Sequence, residues 1–219
     1  MRPDYDRAAT AAMETILKYG INTAPIIPLP IFKHTPGVLV LTFAEISNAL
    51  GIERSHLVSM TGEENQDAVT FVRSDGHKLK YVVTYNQRLP VYMIQRSLAR
   101  ELGHIILGHD GSRPENVRLA EAQCFAHHLL CPRPLIKAVL DAGVKMTVEV
   151  LGNITGCYER CLLGMRETPE THVPAELNRG VRAQFAEYMD NYLAYQMILT
   201  NSDKSAVADF GTYMDGYEE

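Results

Sequence analysis

The chain has 219 residues, of which 46% are hydrophobic and 21% charged, and its formal net charge is −5. That length accommodates one full core with at most a small appendage, because domains hold roughly 100 to 200 residues, and the composition excludes fibrous and disordered classes. An acidic balance without clustered Lys and Arg argues against a direct nucleic-acid partner, and no run is apolar for long enough to span a membrane.

The opening "MRPDYDRAATAAMETILKYG" has two early aspartates and no continuous apolar run, so it reads as neither signal peptide nor anchor. Cytoplasmic residence is the expectation. Residues 3–19 read as a helix, with Ala9, Ala12, Met13, Ile16 and Leu17 at helical spacing and Gly20 as its stop. The proline-rich "APIIPLPIFKHTPG" is expected to prevent any helix. "VLVLTF", residues 38–43, predicts a short buried strand, and Thr42 with Glu45 forms a capping box for a brief helix closed by Gly51.

In "DAVTFVRSDGHKLKYVVTYN" two β-branched and aromatic runs flank Ser74 to His77, which predicts a hairpin. From Leu89 the pattern turns helical: Ile94, Leu98, Leu102 and Ile105 form one stripe, and Gly108 suits the end. Arg100 and His104 lie roughly 120 to 160° away from that stripe, with Glu101 between the two faces. A second helix is expected from Pro114 to Leu130 and a third in "CPRPLIKAVLDAG". Two short helices divided at Gly152 to Gly156 follow, then a long one in "PAELNRGVRAQFAEYMDNYLAYQMI". The pair of short helices has the outline of a DNA-reading helix-turn-helix, yet with only Arg160 and Arg166 as basic groups ordinary packing is the better reading. Together these elements predict one α+β domain over residues 1–198, a small twisted sheet with a hairpin packed on a helical half, and an acidic tail over 199–219 that frays.

Four cysteines, Cys124, Cys131, Cys157 and Cys161, are too few and too uneven for a secreted disulfide scaffold and read as reduced thiols. Cys157 and Cys161 are four apart, but no C-x-x-C pair supports a four-cysteine zinc site.

The chemistry concentrates in "SLARELGHIILGHDG", residues 97–111. In H-E-x-x-H two imidazoles four apart on a helix grip one zinc while the intervening glutamate polarises water. Here the first position is Arg100. On the next helix Glu121 shares a face with Val117, Cys124, Phe125 and His128 and could reach across to His104. The succession E-L-G-H-I-I-L-G-H, then E-A-x-x-F-A-x-x-L-L-x-P, resembles the ImmA/IrrE family of metallopeptidases, at motif strength from about Leu98 to Pro132.

The resemblance implies a gluzincin-like α+β fold, zinc as cofactor, Glu101 as general base, and His104 and Glu121 as metal ligands. It also implies a regulator of a mobile element or stress response that recognises and cuts a DNA-binding repressor, of the helix-turn-helix kind. Guanidinium has five donors and no lone pair, so Arg100 cannot coordinate a cation. Either a substitute ligand completes the site, from His109, Cys124 or His128, or Arg100 replaces the metal by pairing with Glu121 or Glu101, leaving a metal-free pseudo-peptidase that binds without cutting. Glu121 and His128 are separated by about 10 Å along the helix, too far to share one ion. His109 is rotated about 140° from His104, so only a sharp turn would bring it in. His34, His56, His77 and His172 read as surface residues, and His127 is expected to face outward. A sheet edge beside the cleft could take an extended peptide strand.

Overall fold

The computed structural model describes residues 1–53, 55–56, 67–72, 81–145, 147–156 and 169–198. The turn around Ser74 to His77, the expected helix over 155–165 with Cys157 and Cys161, and the acidic tail lie outside these residues or run beyond them.

Helix α1 (Tyr5–Lys18) starts at Asp4, whose carboxylate accepts the Arg7 N–H, and ends ahead of Gly20 at φ +63°. Its inner face is Ala8, Ala9, Ala12, Met13 and Ile16, all 0–1% exposed, and the three alanines let the next layer approach closely. The proline-rich segment does form one short helix, α2 (Pro28–Lys33), contrary to expectation. Pro28 occupies its first turn, where the missing N–H costs nothing and the fixed φ helps. Strand β1 (Val38–Thr42) is mostly half-buried rather than buried, and α3 (Phe43–Leu50) carries the reciprocal Thr42 and Glu45 capping box with Gly51 left-handed at its end.

Strands β2 (Ala68–Val72) and β3 (Tyr81–Tyr85) pair antiparallel, with Thr70 opposite Val83, while β1 pairs parallel to β3. Among the described residues the order β1-β3-β2 leaves β2 at an edge. The chain continues with α4 (Val91–Ile106), which packs on β2 and β3, α5 (Glu115–Leu130), α6 (Arg133–Asp141), α7 (Val148–Thr155) and α8 (Ala175–Gln184). The C-terminal helix expected as one piece is interrupted at Phe185 and resumes over 186–198. Helix α7 runs through Gly152 and stops at left-handed Gly156. The fold is α+β.

Helix α5 is central: both α1 and α4 pack on it. From Cys124 to Leu130 every residue is buried, so its second half has no solvent face. His127, expected outside, is accordingly only 6% exposed. Helices α4 and α5 touch through Gly103, where an added Cβ would lie 3.1 Å from the Ala122 carbonyl oxygen and 3.2 Å from its Cα. Replacing a helical glycine by alanine ordinarily gains about 1 kcal/mol. Gly103→Ala is expected to do the opposite, lowering the midpoint of urea unfolding because the α5 backbone has to retreat; a raised midpoint would contradict this packing.

Candidate functional site

The end of α4 brings the candidate site together. Leu107 caps the helix, Gly108 turns left-handed at φ +65°, the Gly108 N–H donates to the Ile105 carbonyl and the His109 N–H to the His104 carbonyl, at 3.1 and 2.9 Å. This is the Schellman arrangement, in which the second residue past the cap folds back against the residue three places before it. Those two residues are His109 and His104. Their Nδ1 atoms are 2.9 Å apart and the rings meet edge to face. The sharp turn that His109 needed is therefore present.

His109 Nε2 is 2.9 Å from Glu121 Oε2, and both side chains are 1% exposed. Glu121 also accepts from Arg113 Nη1 at 2.8 and 2.6 Å and from the Asp4 N–H at 2.8 Å. Burial pushes its carboxyl upward, but the Asp4 N–H, His109 and Arg113 outweigh that and keep it below the usual value. The first turn of α1 is fastened here as well, since Arg7 Nη2 donates to the Leu107 carbonyl at 2.6 Å. Arg118 Nε donates to the Arg113 carbonyl and steadies the loop.

Arg100 pairs with its neighbour Glu101, at 3.2 Å, rather than with Glu121. Its Nη2 also approaches the Ala68 carbonyl of β2 at 3.5 Å. Glu101 is 5% exposed; Oε1 faces Arg100 and Oε2 accepts from Thr70 Oγ1 at 2.7 Å. Burial raises the Glu101 carboxyl above its ordinary value despite Arg100 and Thr70.

The other candidates point elsewhere. Cys124 Sγ faces the Tyr5 carbonyl at 3.6 Å, and burial pushes its thiol up to about 12. His128 Nε2 meets Thr171 Oγ1 at 3.1 Å. Glu121 does not reach His104, because the His109 ring stands between them. Sequence reading missed Asp4, Arg7, Thr70, Arg113 and Arg118; only the H-x-x-x-G-H spacing carried a usable signal, for the contact between His104 and His109.

Zinc would need donors converging on one point. His109 turns one nitrogen to His104 and the other to Glu121, in opposite directions, while Arg113 covers both Glu121 oxygens and Arg100 has no lone pair. Among the described residues no group of three or more His, Cys, Asp or Glu converges to hold an ion. The residues in this arrangement do not fit the metal.

An open cleft lies beside these groups, between Ala68, Thr70 and Val72 of β2 and His104, Glu115 and Arg118 of the helices. Burial lowers three nearby or adjoining imidazoles, His104 to about 3 and His127 and His128 to about 4. Each stays neutral when folded and takes up a proton on unfolding below about pH 6.5. Stability therefore falls as pH drops from about 6.5 toward 4, by up to about 1.4 kcal/mol per pH unit for each imidazole that stays neutral. Glu101, with its raised value, opposes this as a single group. Urea midpoints measured from pH 7 to 4.5 are expected to decline; a flat or rising profile would contradict the burial of these rings.

Among the described residues no helix is long and apolar enough to cross a membrane. No curated protein and no solved structure matches the chain. A family model does match, the IrrE N-terminal-like domain, over residues 57–154, which include the β2 and β3 pair, α4, α5, α6 and nearly all of α7. Over those residues the chain is similar to an IrrE N-terminal-like domain, and both helical motifs, from Leu98 to Pro132, lie within the match.

Proposed function

We propose that this chain is an ImmA/IrrE-type regulator of a mobile element or stress response, working in the cytoplasm by capturing a segment of a helix-turn-helix repressor without metal-dependent hydrolysis. The observation that carries this reading is the ion pair between Arg100 and Glu101. A cation occupies the first-ligand position and engages the very carboxylate that would otherwise activate water. The cleft is lined by residues of β2, so an extended segment lying in it would add main-chain hydrogen bonds to β2 and place side chains against Val69 and Val72.

A second reading keeps the zinc peptidase. It is favoured by the approach of His109 to His104, which could supply the missing imidazole if His109 released Glu121 and Arg113 withdrew.

Two measurements on the full chain decide between them. Protein grown with added zinc and dialysed is expected to retain far less than stoichiometric metal, with no difference in His104→Ala; stoichiometric zinc lost in that variant favours the peptidase. Mixed with the helix-turn-helix repressors of its source cell, the chain is expected to bind at least one and leave it full length. Cleavage that a chelator abolishes would overturn the non-catalytic part of the proposal, and failure to bind any of them would overturn the partner.

A further inference from the structure

Most charged side chains around the cleft are already engaged. Glu101 takes Arg100 and Thr70, Glu121 takes Arg113, His109 and the Asp4 N–H, and Asp110 turns back to Ser112 in its own loop. Arg7 is held by the Leu107 carbonyl. Arg118 lines the cleft and uses only its Nε, which donates to the Arg113 carbonyl at 3.1 Å. Among the described residues no carboxylate stands in ion-pair contact with Arg118, and its Nη1 and Nη2 have no acceptor. Glu115, three residues earlier on α5, also lines the cleft but is exposed and outside ion-pair distance. Even in contact, two exposed charges so spaced on a helix attract weakly and yield readily to a ligand.

A guanidinium held at Nε offers its two terminal nitrogens as a fork, and the partner that matches such a fork is a carboxylate. We infer that Arg118 determines specificity in the cleft by selecting an acidic side chain, Asp or Glu, in the segment that enters it. This rests on the proposed capture of a repressor segment beside β2. The tether to the Arg113 carbonyl restricts the arginine before any ligand arrives, so less freedom is lost on binding. Leu119 stands next to Arg118 on the same wall, and Val72 on the opposite wall is 55% exposed. A segment that carries an acidic side chain together with an apolar one therefore matches both kinds of surface. A basic side chain finds no equivalent, because Glu101 is already paired with Arg100 and Glu115 lies exposed to water.

The test uses random peptides displayed on phage and selected on the immobilised full-length chain, so its outcome does not depend on any repressor. Selected peptides are expected to share Asp or Glu at a fixed place in their consensus. For the tightest of them, studied as a free peptide by calorimetry, replacing that acid by its amide is expected to weaken binding about tenfold or more, as loss of a hydrogen bond to a charged group does. Arg118→Gln, which keeps a donor for the Arg113 carbonyl, is expected to bind the acid and amide peptides alike. A merely structural role for Arg118 would weaken both peptides equally and leave their ratio unchanged. Should Arg118→Gln fail to fold, Arg118→Lys carries the same comparison, since an ammonium without the fork is expected to shrink the ratio. No selected peptide, a consensus without an acid, or an acid preference that survives the substitution would overturn the inference. Repressor capture without that preference would remove this inference alone, whereas an acidic consensus without repressor capture would remove the partner and keep the role of Arg118.

Discussion

The carboxylate of Glu121 is the group around which the helical half is arranged. A charge of that size taken out of water costs several kcal/mol unless good donors surround it. Here the donors come from separate parts of the chain: the Asp4 N–H at the start of α1, His109 just past α4, and Arg113 in the loop before α5. Removing the carboxylate would leave all of them facing one another in a buried space. Packing of α1 on α5 through alanines and of α4 on α5 through Gly103 brings these donors within reach. The close packing and the charge cluster therefore depend on each other.

Two positive groups divide the work that a metal would do in a related site. Arg100 balances Glu101 on the cleft side, and Arg113 balances Glu121 on the buried side. Between them the His109 ring joins His104 to Glu121 through its two nitrogens. An ion would draw its ligands to one point, whereas this bridge strings them in a line. Each buried carboxylate has a partner of opposite charge, although Arg100 stands where the H-E-x-x-H pattern has histidine.

Much of the framework was readable because it follows from local rules. The Thr42 and Glu45 capping box, the hairpin strands and the stripe on α4 all appear where side-chain spacing puts them. The misjudged elements have local reasons too. Pro28 starts a helix instead of preventing one. His127, about 120° around the helix from Glu121, reads as outward-facing, but seven successive buried positions leave this part of α5 no outer face. His109 needed a sharp turn to come near His104, and left-handed Gly108 supplies it. The pairing of Arg113 and Asp4 with Glu121 was not legible at all. Asp4 and Glu121 are 117 residues apart, and nothing periodic connects them.

The central claim is that His109, rather than an ion, joins His104 to Glu121. A crystal structure of the protein soaked in zinc, with data collected at the zinc edge, tests it most directly. The account predicts no anomalous density between these residues, the His109 ring still in contact with both, and Arg113 still on Glu121. A zinc peak bound by His104, His109 and Glu121, with Arg113 displaced, would contradict it.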